Sequence, residues 1–227
     1  MNWHGTVKEF GYGLIPSVFN RDEVSALLQQ LRSEQLPRTR AGVRHAMRST
    51  NVAQISRDQR MMKIARRILG NGAIAFRATL FEKFPDSNWL VAWHQDTALP
   101  LRERREVAGW GPWSVKDGVN YAHAPAEALK KVVALRIHLD DSTIDNGPLR
   151  VLPGTHTRAV LTDDEMHAIA ERTHGVDCLM PLGGVVAMRP LVIHASSKSR
   201  TENPRRVLHI EYAESLAITD GLELAIA

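Results

Sequence analysis

Apolar residues recur at helical spacing in two stretches near the N-terminus. Residues 20–32 carry apolar side chains three or four positions apart after an Asn-Arg-Asp start, and residues 57–69 repeat the pattern before a Gly-Asn-Gly stop. A third stretch, 162–174, opens with Thr-Asp-Asp-Glu, which is typical of a helix N-terminal capping box. The sequence therefore predicts helices over these three ranges.

From residue 73 onward the pattern changes to short segments rich in Val, Ile and Leu and bounded by turn residues, which predict strands. They cover residues 73–84, 89–94, 131–140, 149–153, 184–190, 191–196 and 205–213. Residues 97–130, rich in charge, Trp, Gly and Pro, are predicted to form a long ordered loop. Two N-terminal helices followed by about seven or eight strands predict a mainly β antiparallel sandwich or jelly roll with flanking helices.

The length of 227 residues fits one domain over 1–227, with a helical segment at about 1–70 and a β core at about 73–213. The single cysteine, Cys178, excludes an intramolecular disulfide and indicates a reducing cytoplasm. No apolar run approaches the roughly 20 residues of a membrane helix, and the first residues lack the apolar segment of a signal peptide. We therefore expect a cytoplasmic protein that does not enter a membrane.

The net charge of +4 raises the possibility of a nucleic-acid partner. The basic residues include a cluster formed by Arg38, Arg40, Arg44 and Arg48. A continuous basic stripe with interleaved aromatic residues is missing from the sequence, so we do not expect a nucleic-acid partner. An anionic small molecule is the alternative partner for such arginines.

The strongest candidate for a metal-binding motif is His94-Gln95-Asp96, at the end of a predicted strand. Residues two apart in an extended segment point to the same side, so this imidazole and carboxylate converge. His194, in another predicted strand, is the best third ligand. Two His and one carboxylate leave metal positions open, as in non-haem Fe(II) oxygenases. Zn²⁺ in a hydrolase uses similar ligands.

A dicarboxylate co-substrate on such a metal needs a cation for its far end, and Arg binds a carboxylate through two parallel hydrogen bonds. Arg205 lies 11 positions after His194, at the start of the next predicted strand. Arg206 is adjacent and must face the other way, so only one of the two arginines can serve.

Four motifs in order resemble the phytanoyl-CoA dioxygenase family of Fe(II)/2-oxoglutarate oxygenases. They are WHQD at 93–96, LDDSTIDNGPLRVLPGTH at 139–156, RPLVIHASS at 189–197 and PRRVLHIEY at 204–212. The opening segment GYGLIPSVFNRDEVSALLQQL is also similar to that of the family, so the resemblance covers nearly the whole chain.

The resemblance implies a double-stranded β-helix, also called a jelly roll or cupin-like fold. It implies Fe(II) on His94, Asp96 and His194, and 2-oxoglutarate on Arg205 and Ser196. Where the family usually has a Trp lining the co-substrate pocket, this chain has Arg136, with His138 on the same side of the strand. The implied reaction uses O₂ to hydroxylate or otherwise oxidise a small organic molecule, with release of succinate and CO₂.

Four residues are predicted to contact this substrate, which the positive charges indicate to be anionic: Lys83, Arg44, His138 and Trp110. Trp110 would act from a lid formed by the loop, although packing is an equal interpretation. Two other functions stay open. One is a cupin-like metal-dependent hydrolase or isomerase, and the other is a jelly-roll module that binds a ligand without chemistry.

Overall fold

The computed structural model describes residues 2–34, 36–39, 42–219 and 221–227. Arg40, one of the clustered arginines, lies outside these residues. Within the described ranges, no helix combines the length and the apolar character needed to cross a membrane.

The three predicted helices are confirmed as α2, α4 and α6 among six α-helices in the described chain. The bounds are α1 Trp3–Phe10, α2 Arg21–Ser33, α3 Thr50–Ser56, α4 Gln59–Leu69, α5 Ala126–Leu129 and α6 Asp163–Arg172. Capping boxes fix the starts of α2, through Asn20 and Glu23, and of α6, through Thr162 and Glu165. The other helices are too short to show a clear apolar period, so the sequence did not predict them.

The described chain also contains fifteen strands, most of them short, which pair antiparallel. Their bounds are β1 Tyr12–Ile15, β2 Gly42–Val43, β3 Ile74–Lys83, β4 Val91–His94, β5 Ala98–Leu101, β6 Trp113–Lys116, β7 Val119–His123, β8 Val132–His138, β9 Leu149–Val151, β10 Val176–Cys178, β11 Val185–Met188, β12 His194–Ser196, β13 Arg205–Ala213, β14 Ala217–Thr219 and β15 Leu222–Glu223. The major sheet has the order β1-β11-β8-β13-β3-β2, and the minor sheet has the order β10-β9-β12-β4. The predicted mainly β jelly roll is confirmed.

The prediction of a loop over 97–130 is wrong in part. This stretch contains the three-stranded sheet β5-β7-β6 and the helix α5. Trp110 is buried there in a hydrophobic cluster with Leu99, Leu101 and Leu129. This burial favours the packing interpretation of Trp110 over the lid, because a large ring stabilises the packing of this stretch when it is removed from water.

The two faces of the major sheet have opposite character. Alternate residues of β3, β8 and β13, among them Leu80, Leu135 and Leu208, pack with α2 and α4 in the largest hydrophobic cluster. The residues between them carry charged and polar side chains into the barrel. This buried polar face sits opposite the short minor sheet, and the candidate site lies between them.

Candidate metal and co-substrate site

The three predicted metal ligands converge on one point. His94, at the end of β4, lies directly opposite His194, at the start of β12, in the minor sheet. Asp96 follows β4, and its backbone N–H donates to the carbonyl of Pro190 at 2.9 Å. One ligand atom from each of the three side chains lies within 4.8 Å of the other two. Antiparallel pairing thus joins residues that are 98 to 100 positions apart in the chain.

The hydrogen bonds of both imidazoles fit a metal. His94 Nδ1 lies 2.9 Å from the carbonyl of Ala92, and His194 Nδ1 lies 2.9 Å from that of Val192. Each Nδ1 therefore donates a proton, and each Nε2 presents a lone pair. These Nε2 atoms face the Asp96 carboxylate at 3.7 and 3.5 Å. Acceptor nitrogens that face a carboxylate in this way are suited to a cation bound between them.

Electrostatics support the same conclusion. Burial lowers the pKa of His194 to about 3, against the opposing charge of Asp96, so its imidazole is neutral as a metal ligand must be. Burial by itself would raise the pKa of Asp96, but its interactions with the surrounding imidazoles and with Arg77 hold it below its usual value. One carboxylate and two imidazoles suit a divalent cation.

A cavity of about 130 Å³ opens beside the three ligands. This volume is well below the about 300–1,000 Å³ of sites for drug-sized ligands. Four cationic side chains line the cavity, namely Arg77, Lys83, Arg136 and Arg205, and among the described lining residues the only carboxylate is Asp96. The cavity is therefore suited to a small molecule with more than one negative charge.

The deep end of the cavity is organised around Ser196. Its hydroxyl accepts hydrogen bonds from Lys83 Nζ at 2.8 Å and Arg205 Nη2 at 3.3 Å, and donates to the Gly147 carbonyl at 2.9 Å. Within the described chain, Nε and Nη1 of Arg205 are buried and lack a hydrogen-bond partner. Burial and the charge of Arg136 lower the pKa of Arg205 to about 9, so the guanidinium stays charged near neutral pH. Two buried donors of Arg205 are thus available for a carboxylate.

Arg136 lines the cavity as predicted, and His209 holds it in place. Its Nη1 lies 2.8 Å from His209 Nδ1, and its guanidinium carbon lies 5.3 Å from the centre of the Phe81 ring. His138 does point to the same side of β8, but it is fully buried and does not line the cavity. The prediction that His138 contacts substrate is therefore corrected, because a fully buried side chain outside the cavity lining is not accessible to a substrate.

Arg77 belongs to the site, although the sequence analysis did not single it out. It lines the cavity, forms an ion pair with the buried Glu211 on the neighbouring strand, and donates from Nη1 to the Ala98 carbonyl at 2.7 Å. The last bond ties β3 to the chain just after Asp96. A charged residue at an inward position of β3 was the available signal, but its partner depends on the pairing of β3 with β13.

The structure places Arg206, Lys83 and Arg44 differently relative to the cavity. Arg206 faces away from the cavity and forms an ion pair with Asp140 at 2.6 Å, as expected if only one of the two arginines can serve. Lys83, which was predicted to contact substrate, lines the cavity and is buried, with only 1% of it exposed. Arg44 is exposed and does not line the cavity.

Comparisons with known proteins agree with this geometry. The family model described as phytanoyl-CoA dioxygenase (PhyH) matches residues 7–207. The L-proline trans-4-hydroxylase of Streptomyces griseoviridis is 30% identical, over 49% of this chain and 51% of the hydroxylase. The chain thus spans about half the length of this curated relative.

Two solved structures share the fold. EctD from S. alaskensis with bound Fe has a TM-score of 0.72 at 18% identity, over 98% of this chain and 78% of EctD. AviO1 from Streptomyces viridochromogenes Tue57 has a TM-score of 0.68 at 20% identity, over 93% of both chains. These identities establish a common architecture, so the roles of individual side chains rest on the site itself.

Proposed function

Because this chain belongs to the phytanoyl-CoA dioxygenase family, we propose that it is an Fe(II)/2-oxoglutarate-dependent oxygenase that hydroxylates or otherwise oxidises a small organic molecule. The observation that carries the proposal is the convergence of His94, Asp96 and His194 beside a cavity that ends in Arg205 and Ser196. The iron, when bound with 2-oxoglutarate and O₂, supplies the oxidising power for a C–H bond, and 2-oxoglutarate leaves as succinate and CO₂.

One group of side chains would bind the iron, and a second group would bind 2-oxoglutarate. His94, Asp96 and His194 hold Fe(II) through Nε2, one carboxylate oxygen and Nε2. Arg205 and Ser196 bind the distal carboxylate of 2-oxoglutarate at the deep end of the cavity, while Arg136 lines its wall. Fixing both ends of the co-substrate orients it relative to the iron and lowers the entropic cost of the reaction.

The substrate would approach from the open side of the metal ligands. The side chain of His94 is 37% exposed, whereas that of His194 is 5% exposed. The cavity of about 130 Å³ suits the co-substrate, so the substrate would occupy the space outside it, next to His94. A small-molecule substrate agrees with the similarity to the L-proline trans-4-hydroxylase of Streptomyces griseoviridis, whose substrate is proline.

We further propose that this substrate is anionic. Lys116 Nζ lies 4.8 Å from the centre of the Tyr121 ring, near the cavity-lining Arg77 and the exposed Arg44. Partial burial and the charges of Arg77 and Arg44 lower the pKa of Lys116. Such a positive surface attracts anions to the outer side of the site.

The buried free thiol of Cys178 also supports the cytoplasm as the location.

An anaerobic titration tests the proposed cofactors. Fe(II) followed by 2-oxoglutarate should produce a visible metal-to-ligand charge-transfer band in the wild type and not in His194→Ala. His167→Ala, which changes an exposed imidazole on α6, is the matched control and should keep the band. If the band is missing while iron is bound, the 2-oxoglutarate assignment is wrong, and a cupin-like hydrolase or a binding module becomes the better hypothesis.

A further inference from the structure

A second cavity, separate from the one beside the metal ligands, lies between the N-terminal helix α1 and the segment 189–191. Its volume of about 530 Å³ falls within the about 300–1,000 Å³ that is usual for sites of small-molecule ligands. The buried apolar side chains of Val7, Leu129 and Leu191 form part of its wall. The proposed function gives this cavity no role.

The wall of the cavity also carries an excess of positive charge. Lys8, Lys130 and Arg189 line it, and its described lining residues include no Asp or Glu. Two carboxylates act on these cations from outside the lining. Glu127 pairs with Lys130 at 2.5 Å, and the charge of Glu214 acts on Arg189. Positive charge therefore predominates in the cavity, which favours an anion.

Arg189 is the least exposed of the three cations. Its Nη1 donates to the carbonyls of Lys130 and Val132, at 3.0 and 3.2 Å, and these bonds orient the guanidinium. Burial lowers the pKa of Arg189, against the charge of Glu214. A partly buried guanidinium with donors to spare is a strong partner for an anionic group, because it binds a carboxylate or phosphate through charge-assisted hydrogen bonds.

Hydrogen bonds connect the walls of the cavity to one another. His156 Nε2 donates to the carbonyl of Lys8 at 3.2 Å, and the backbone N–H of Arg189 donates to the carbonyl of Gly11 at 2.8 Å. They join α1 and the residue after it to the loops that follow β9 and β11. The cavity is thus formed before any ligand enters it, as is usual for small-molecule sites.

The segment Pro190-Leu191 adjoins both this cavity and the metal ligands. Both residues line the cavity, while the Pro190 carbonyl accepts from the N–H of Asp96 and the Leu191 carbonyl accepts from the side chain of Gln95, each at 2.9 Å. No described residue lines both cavities. A ligand bound here would therefore not compete with 2-oxoglutarate.

We propose that this cavity is a second ligand site, which binds a small molecule with one anionic group and an aliphatic body. The anionic group would contact Arg189, with the exposed Lys8 and Lys130 at the rim, and the aliphatic body would cover the apolar wall. The inference goes beyond the proposed function and does not depend on it, since none of these residues lines the cavity beside the metal ligands.

The test is an NMR titration of the full chain, loaded with Zn²⁺ and 2-oxoglutarate so that the first site is filled. Zn²⁺ is diamagnetic and suits the same three side chains. The probes are octanoate, 1-octanol, which keeps the chain without the charge, and acetate, which keeps the charge without the chain. Octanoate should shift the amide resonances of Val7, Leu129 and Thr157, which line the cavity.

The affinities of the three probes separate the two parts of the proposed ligand. Octanoate should bind about 10- to 100-fold more tightly than 1-octanol, because the alcohol loses the hydrogen bonds of a charged group. Acetate should bind at least about tenfold more weakly than octanoate, because it buries none of the methylene groups.

Substitutions then locate the site. Arg189→Met should weaken octanoate binding about tenfold or more and leave 1-octanol unchanged. Because Arg189 also holds two carbonyls, Lys8→Glu/Lys130→Glu is a second variant, which reverses two exposed charges and should weaken octanoate about fivefold or more. Lys63→Met, an exposed change on α4, and Arg44→Met, an exposed change outside this cavity, are the controls and should match the wild type.

Two results would refute the inference. One is equal affinity for octanoate and 1-octanol. The other is a set of shifts confined to the surroundings of Tyr121, with weaker octanoate binding in Arg44→Met and none of the expected loss in the variants of Arg189 and the two lysines. If 2-oxoglutarate does not bind the Zn²⁺-loaded chain, the proposed function fails, and the octanoate titration still decides the second site.

Discussion

Replacing Arg205 by Met should stabilise the protein without co-substrate while abolishing tight co-substrate binding. Arg205 is buried beside Lys83 and Arg136, and its only described hydrogen bond is to Ser196 at 3.3 Å. Burial and the charge of Arg136 lower its pKa from 12.5 to about 9. At about 1.36 kcal/mol per pKa unit, the charged form is destabilised by roughly 5 kcal/mol, which is an upper bound.

The sign of this effect follows from the direction of the shift. The pKa of Arg205 is lower in the folded chain than in the unfolded chain, so the penalty is fully present below pH 9. It disappears as the pH rises from 9 toward 12.5. At pH 7, Met therefore removes the whole penalty and retains apolar volume. We expect a gain of about 1–4 kcal/mol in the free energy of unfolding, as for other buried charges replaced by hydrophobic residues.

Urea unfolding at pH 7, with and without Fe(II) and 2-oxoglutarate, measures both effects. In the wild type, ligand at about 100 times Kd should add about 2.7 kcal/mol of stability, and in Arg205→Met it should add almost nothing. Arg206→Met is the matched control, because it breaks the ion pair with Asp140 and should lose stability while binding normally. The reasoning is refuted if the ligand-free Arg205→Met protein is less stable than the wild type, or if its 2-oxoglutarate affinity stays within threefold.

Two further predictions concern the support of the site. Arg77→Met removes the arginine partner of the buried Glu211 and leaves it only His209, at 3.9 Å, so the free energy of unfolding should fall by about 3–5 kcal/mol. The double variant Arg77→Met/Glu211→Gln should recover part of this loss in urea unfolding, and equal stability of the single and double variants would contradict the pairing. Gly147→Ala places a Cβ 2.2 Å from the Ser197 carbonyl at a φ of +67°, so the turn beside Lys83 must shift. Calorimetry should show weaker 2-oxoglutarate binding than in Gly154→Ala, another positive-φ glycine with open space around it, and equal affinities would contradict this prediction.

Local patterns in the sequence predicted the longer helices and two of the three candidate metal ligands. Apolar spacing and capping residues predicted α2, α4 and α6, because helices are stabilised by contacts three or four residues apart. His94 and Asp96 lie on one short segment, so their convergence follows from the two-residue period of extended chain. The same period predicted correctly that Arg205 and Arg206 face opposite ways. His194 was the best third candidate because it lies in another predicted strand, and the family motifs agree with that choice.

Tertiary structure alone decided which cations share the cavity. The pairing of β3 with β13 places Lys83 opposite Arg205 and Arg77 opposite Glu211, although each pair is more than 100 residues apart. Tertiary packing also buries Trp110 beside the sheet β5-β7-β6, which the composition of 97–130 did not reveal. The physical reason is that strand register depends on long-range pairing, and a slip of one residue would turn every side chain to the opposite face.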